Sequence, residues 1–405
     1  MDRSVRPRTS LPAALALVMA ALLALLVIPA HPARADDGSG SACALQGATG
    51  YLDEGQRTDY TRFQNPIGTK HVGVVYVDFP DATGTALPLT SYEDTLKGAA
   101  DWMRNASYGR TALDIRTPYA AWVRMPKNST DYNWARGFSW TTHQAYVKDA
   151  LTAAAAARVD LSPYDMFYVV PTATAAAIGH TPTFVQDPAV PTWVWNAPTG
   201  SWVLVHWAVT FGQDMWHWGY KVADHETAHT FGLPDLYAYS GDQHRYVGGW
   251  DLMGRISGPA PQYFAWEAWK LGWIGDGQVS CLATANSYAT TLTGLEYGGT
   301  GYRLAVVRTG ATTAYVAESR KAAYDDAGAC ATGVVIYKVD TSVTTGNGPI
   351  QVVGNPGAAA PTGTCTALDM QTWRPGQWFQ DDTARVRIYV NGSDASTDTV
   401  WTYKW

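Results

Sequence analysis

His225-Glu226-Thr227-Ala228-His229 sets two imidazoles four positions apart with a carboxylate beside the first. On a helix such positions share one face, so both rings can reach a single cation while Glu226 stands at its open side. Gly232 permits a tight reversal after His229, and Asp235 is placed to return a carboxylate to the same point. Two imidazoles and a carboxylate form a ligand set of borderline softness that suits one catalytic zinc ion and leaves a fourth position for water. The expected chemistry is hydrolysis: zinc polarises a carbonyl and lowers the pKa of water, and Glu226 is the general base that passes the proton to a leaving amine. Tyr237, Tyr239 and His244 are all near enough in sequence to assist an oxyanion, and nothing in the sequence chooses among them.

Other groups compete for the third ligand. Glu267, on a helix expected over residues 264–271, would serve as in zincins whose second helix donates a glutamate, but Gly232 and Asp235 would then be unexplained. His206, His217 and His244 are weaker substitutes, because a solitary His among many Trp is more often packed and hydrogen-bonded than metal-bound. Asp outnumbers Glu 29 to 6, so a structural Ca2+ ion is a further expectation; no EF-hand or nonapeptide loop is present, and solvated aspartates in turns are the simpler reading.

The motif requires a helix over residues 220–230, which Gly232 stops. Residues 72–79 (VGVVYVDF) and 166–170 (MFYVV) read as strands buried on both faces, and residues 92–104 and 143–157 as helices. Strands alternating with helices predict an α/β (α+β) catalytic domain over residues 71–278. Residues 201–210 (SWVLVHWAVT) read as a strand that is either an exposed edge able to bind an extended peptide or an ordinary core strand. Beyond residue 279, short β-branched runs at 288–295, 302–307, 313–317, 334–339 and 386–390 predict an all-β, sandwich-like domain over residues 279–405.

The 405 residues are 46% apolar and only 16% charged, with 18 Trp, enough to fill two cores. A net charge of −6 without a basic run gives nothing to draw the protein to nucleic acid or an anionic membrane; the expected partners are polypeptide substrates, and the expected state is a monomer. Arg3, Arg6 and Arg8 precede an apolar run at residues 11–28 and Ala33-Arg34-Ala35, the pattern of a signal peptide over residues 1–35 that directs secretion and, once cleaved, leaves no membrane anchor. Residues 36–70 read as an N-terminal extension or short propeptide. Cys43, Cys281, Cys330 and Cys365 fit two disulfides; of three connectivities, Cys43–Cys281 with Cys330–Cys365 is favoured because the second pair closes a loop within one domain.

HETAHTFGLPDLY (His225 to Tyr237) followed by GWDLMG (Gly249 to Gly254) resembles the immune inhibitor A-like metallopeptidases of the metzincin type, particularly secreted actinobacterial members. YVDFPDA (Tyr76 to Ala82), ASYGRTALDI (Ala106 to Ile115), WEAWKLGWI (Trp266 to Ile274) and AESR followed by GVVIYKVD (Ala317 to Asp340) are similar to other segments of that family, so the resemblance spans most of the mature chain. It implies a metzincin-like zincin fold, His225, His229 and Asp235 as zinc ligands, Glu226 as base, Met253 as the Met-turn residue, and endopeptidase activity. The rival from another class is a secreted carbohydrate- or surface-binding protein with a non-catalytic metal site, since ten Trp lie between Trp193 and Trp273 and flat rings stack on sugars.

Overall fold

In the computed structural model, residues 40–47, 52–56 and 58–405 are described; the expected signal segment and its cleavage site lie outside them. The first half is organised by β1 (Gly68–Asp78), whose run of Val and Tyr is apolar on both faces. It is followed by α1 (Leu89–Leu96), α2 (Ala99–Ala106), β2 (Thr111–Arg116), β3 (Val123–Arg124), α3 (Trp140–Ala156) and β4 (Met166–Pro171). Then come β5 (Thr183–Val185), β6 (Trp193–Asn196), β7 (Ser201–Leu204), β8 (Trp207–Thr210), the short α4 (Met215–Trp218), α5 (Tyr220–Thr230) and α6 (Ala265–Lys270). The sheet order is β2-β1-β4-β8-β5, with β3 beside the end of β1; every pairing is parallel except β5 against β8. Val75, Val77 and Phe79 face α3 through Tyr146, Val147 and Leu151. Val72, Val74 and Tyr76 face the opposite core, which contains Trp102, Val222 and Ala223 of α2 and α5. A strand covered on both sides cannot alternate polar and apolar residues, which is why β1 and β4 read as continuous apolar runs.

Two sequence expectations are corrected here. The helix expected over residues 92–104 is two helices, α1 and α2, parted at Lys97 and Gly98; a Cβ at Gly98 would lie 2.4 Å from the ring of Tyr220, the first residue of α5. Residues 201–210 do not form one exposed edge. β7 pairs with β6 in a separate hairpin, while β8 is enclosed between β4 and β5, so the antiparallel edge of the main sheet is β5.

The second half comprises β9 (Val279–Leu282), β10 (Asn286–Thr293), β11 (Leu304–Arg308), β12 (Thr313–Arg320), β13 (Gly333–Asp340), β14 (Ile350–Val352), β15 (Trp378–Asp381), β16 (Val386–Ser393) and β17 (Thr397–Lys404). They form two sheets, β14-β13-β12-β11-β9 and β10-β17-β16-β15. Alternation along β11, β12 and β13 sends Ala305, Val307, Ala317, Val334 and Ile336 toward the second sheet, against Val386, Ile388 and Val400. The intervening Leu304, Val306, Val316, Val335 and Tyr337 enter the same core as α5 and α6. The five-stranded sheet is thus a middle layer buried on both faces, and the core crosses the expected boundary at residue 279: the described residues form one compact unit.

The stretch expected to be an extension or propeptide is built into this body. Cys43 and Leu45 are fully buried, and Cys43 is bonded to Cys281 at the start of the middle sheet; the other pair is Cys330–Cys365. Trp266 Nε1 donates to the Glu54 carbonyl (2.9 Å), Lys270 Nζ to the Gly55 carbonyl (2.7 Å), and the Gln64 amide to the Thr230 carbonyl at the end of α5 (2.7 Å). No helix among the described residues is long and apolar enough to cross a membrane.

Replacing Cys43 and Cys281 together by Ser should lower unfolding free energy by about 2–5 kcal/mol, read from urea denaturation, because the bond closes a very long loop; an unchanged midpoint would mean that the bond contributes nothing to stability. A second expectation concerns His143 on α3, buried among Trp134, Phe138 and Phe184 with Nε2 2.7 Å from Thr210 Oγ1. Burial pushes its pKa down from 6.5 to about 3, with the neighbouring His180 adding to the effect. Between these values the unfolded chain binds the extra proton, so this contribution to stability is complete above pH 6.5 and is lost progressively as the pH falls toward 3. The stability difference between the wild type and His143→Gln should therefore move by about 2 kcal/mol in favour of the variant from about pH 7.5 to about pH 5. Parallel urea-denaturation curves at the two pH values would exclude His143 as the titrating group.

Candidate metal centre

The helix α5 carries the motif along a fully buried face and ends where the Gly232 amide bonds the His229 carbonyl and the Leu233 amide the Ala228 carbonyl, both at 3.1 Å. Gly232 has φ +94°, which a residue with a side chain adopts only under strain, and a Cβ there would also meet Thr58 of the N-terminal strap at 2.9 Å. The reversal carries the chain through Pro234 and returns Asp235 to the histidines.

Asp235 Oδ1 lies 3.1 Å from His225 Nε2 and 3.2 Å from His229 Nε2. His225 Nδ1 donates to the Leu252 carbonyl (3.0 Å) and His229 Nδ1 to the Leu233 carbonyl (2.8 Å). A carbonyl can only accept, so in the neutral rings both protons sit on Nδ1 and both Nε2 atoms present lone pairs to one point. Three acceptor atoms then converge in a buried space with no donor between them, an arrangement that calls for a cation. Donors about 2.0–2.1 Å from a tetrahedral zinc ion stand about 3.3 Å apart, close to the spacing present. Without a cation a proton takes that place: against its burial, Asp235 pushes the His229 ring up to about 9, and against its own burial the Asp235 carboxyl is held by His229 and His225 far below the usual carboxylate range. Its Oδ2 accepts the Tyr239 hydroxyl at 2.6 Å, leaving Oδ1 for the shared point.

This position of Asp235 is set from the far half of the chain. Its amide donates to Thr345 Oγ1 (2.9 Å), its carbonyl accepts the Gly346 amide (3.0 Å), and the Tyr239 amide donates to the Gly346 carbonyl (3.1 Å). Gly346 has φ +72°, and a Cβ there would collide with the Tyr239 ring at 2.4 Å. The turn at 249–254 supplies the remaining support: Leu252 gives His225 its acceptor, and the carbonyl of fully buried Met253 accepts the Leu236 amide at 3.0 Å.

Glu226 also comes within 4.8 Å of the imidazole nitrogens, but it is held differently. The Thr183 hydroxyl on β5 lies 2.7 Å from its Oε2 and 2.6 Å from its main-chain carbonyl. Burial raises the carboxyl's pKa, opposed by His229 and His225, the direction that helps a carboxylate accept a proton. A cavity of about 600 Å³ opens beside it, with Glu226, His229, Asp235, Tyr237 and Tyr239 on one side and Pro182, Thr183 and Val185 of the β5 edge on another. Tyr237 and Tyr239 reach this cavity. His244 instead bonds the Gly254 carbonyl through Nδ1 (3.1 Å).

Glu267 is not brought to the histidines. It is fully buried, and its pKa is pushed well above normal by burial and then by Asp251 and Glu54, the carboxyls it faces. His206 packs on Trp207 and His217 on Trp218. Among the described residues, the group of His, Cys, Asp and Glu side chains close enough to hold a metal is the one at His225, Glu226 and His229, and no carboxylate cluster suited to calcium is found. Thr183, Thr345 and Gly346 went unrecognised in the sequence, where an isolated Thr or Gly carries no periodic or motif signal. Comparison with protein-family models and with curated proteins returned no match.

Asp235→Ala should weaken zinc affinity by about 100-fold or more, and Tyr239→Phe by about 10–100-fold, in a competition titration against a chelator. Glu267→Gln should leave the affinity unchanged. Loss of zinc on changing Glu267 but not Asp235 would transfer the third ligand to Glu267.

Proposed function

We propose that this protein is a secreted zinc-dependent endopeptidase of the metzincin type that hydrolyses peptide bonds in extracellular proteins. The observation that carries the proposal is the convergence of His225 Nε2, His229 Nε2 and Asp235 Oδ1 at one point beside a buried carboxylate and an open sheet edge. A zinc ion held by these three groups supplies Lewis-acid polarisation and a water of lowered pKa. Glu226 takes the proton of the attacking water and delivers it to the departing amine, with Thr183 holding the carboxylate in place. An extended peptide can lie along β5 as a further antiparallel or parallel strand, its main chain bonded to the edge ahead of Val185, whose carbonyl already accepts Trp140 Nε1 (3.0 Å), and its side chains alternating into and out of the cavity. Tyr237 lines the cavity and its hydroxyl has no protein hydrogen bond among the described residues, whereas the Tyr239 hydroxyl is already given to Asp235. Of the two, Tyr237 is the better placed to donate to a developing oxyanion. Secretion is proposed from the N-terminal signal pattern, and two disulfides suit an oxidising compartment.

The alternative, a carbohydrate- or surface-binding protein, is favoured by one observation. Trp193, Trp195 and Trp202 are exposed on the β6–β7 hairpin, and Trp378, Tyr389 and Trp401 stand opposite one another across β15, β16 and β17. None of these rings lines the cavity that holds Glu226, so surface binding would accompany hydrolysis rather than replace it.

Glu226→Gln should reduce casein cleavage by about 10²–10⁴-fold while zinc content persists, and a chelator should abolish cleavage by the wild type. Normal turnover by Glu226→Gln would remove the base from the mechanism. Polysaccharide binding without chelator-sensitive cleavage would favour the alternative.

A further inference from the structure

The loop at residues 133–139 forms one lip of the cavity and is tightly built. Trp134 Nε1 donates to the His180 carbonyl (2.8 Å), and the Trp134 ring stacks on Phe138 with centroids 4.5 Å apart. Asn133 and Gly137 turn the chain at φ +49° and +79°, and Ser139 caps α3 by accepting the Thr142 amide (3.1 Å). Between these anchors Arg136 is exposed and lines the cavity together with Gly137 and His180.

Among the described residues Arg136 forms no ion pair. The two carboxylates that line the same cavity are committed elsewhere, Glu226 to Thr183 and Asp235 to His225, His229 and Tyr239. The Arg136 charge nevertheless reaches into the cleft: after burial, it is the next cause that lowers the pKa of the His180 ring, which lines the same cavity. An unneutralised cation on an anchored lip, above walls of Pro, Thr, Val and Tyr, is complementary to an anionic group on whatever occupies the cleft. Arg presents a planar fork that matches a carboxylate with two parallel hydrogen bonds.

We infer that Arg136 makes the cleft select peptides bearing a carboxylate near the scissile bond, from an acidic side chain or, in short peptides cut near their end, the free C-terminus. This selectivity rests on the endopeptidase reading above and adds to it a substrate class.

The test uses fluorogenic peptides identical except for Glu or Gln near the cleavage site, and a second pair with a free or an amidated C-terminus. In the zinc-loaded wild type, kcat/KM for the Glu peptide should exceed that for Gln by about fivefold, the range of an accessible ion pair. The ratio should shrink toward one in about 1 M salt, where screening acts over about 3 Å. Arg136→Gln should bring the ratio to about one, and Arg136→Glu should invert it. The same order should appear in dissociation constants measured with Glu226→Gln, which reads binding apart from turnover. Selectivity confined to either pair supports the inference and identifies the source of the carboxylate. Equal constants for both pairs in the wild type, or a preference untouched by Arg136→Gln and by salt, would overturn it even if both peptides are cleaved. Failure of the zinc-loaded wild type to cleave any peptide would instead sink the hydrolytic reading, with the binding measurements still deciding the carboxylate preference.

Discussion

Three acceptor atoms aimed at one buried point form an arrangement that a protein cannot hold without compensation. The lone pairs of His225 Nε2 and His229 Nε2 and the carboxylate oxygen of Asp235 repel one another at 3.1–3.2 Å unless a cation or protons stand between them. The rest of the molecule can be understood as what keeps that convergence from relaxing. Each ring is turned by a carbonyl on its far side, from Leu252 and Leu233, and the carboxylate is turned by Tyr239. These supports come from two chain segments, the loop that follows α5 and the turn at 249–254, so the set is not secured by α5 alone.

The segments are in turn secured by the middle sheet. Arg320 at the end of β12 is fully buried and donates to Glu318, Asp326, the Trp250 carbonyl and the Gln262 carbonyl. Through Trp250 it holds the turn that presents Leu252 to His225. Glu318 also accepts the Ala265 amide at the start of α6 (2.8 Å) and the Tyr337 hydroxyl (2.7 Å). A buried ion pair stabilises little by itself once desolvation is counted, but removing one partner strands the other. Such a network therefore acts chiefly as a constraint, fixing where the turn must lie relative to β12. Asp251 acts likewise within the turn, accepting the Met253 and Phe264 amides at 2.6 Å, and burial lifts its pKa to about 6 and that of the neighbouring Glu54 to about 8.

Local chemistry was legible in the sequence where it repeats at a fixed spacing. The α5 helix, the stop at Gly232, the apolar runs of β1 and β4, and the pairing of Cys43 with Cys281 follow from period, composition and the loop argument. Features that depend on distant partners were not legible. The helix break at Gly98 exists because the Tyr220 ring lies against it, and nothing near Gly98 in sequence announces that ring. The three-residue β5 lies among prolines and is too short for alternation to show, although it forms the open edge. A Gly- and Asp-rich start resembled a detachable tail because loop composition cannot reveal that the backbone of Glu54 and Gly55 is bonded to Trp266 and Lys270, more than two hundred residues away. The expected boundary at residue 279 marked a true change from helix to strand, yet the middle sheet is apolar on both faces and so belongs to both halves.

The carboxylate at position 235 has a consequence for the proposed centre that a third imidazole would not. Two neutral rings and one carboxylate leave a divalent ion with one net positive charge, whereas three rings leave two, so Asp235 by itself weakens the ion's pull on a substrate carbonyl. Tyr239 opposes this. Its hydroxyl donates to Oδ2 at 2.6 Å and draws charge toward the oxygen that faces away from the shared point, making Oδ1 a softer anion than a free carboxylate. The Thr345 hydroxyl, 3.2 Å from the Tyr239 oxygen and accepting the Asp235 amide, fixes both partners of that bond. The loop after β13 thereby helps to hold the bond that tunes the centre, and a site whose proposed ligands all lie within eleven residues of sequence depends on a residue more than a hundred positions away to keep that bond in place.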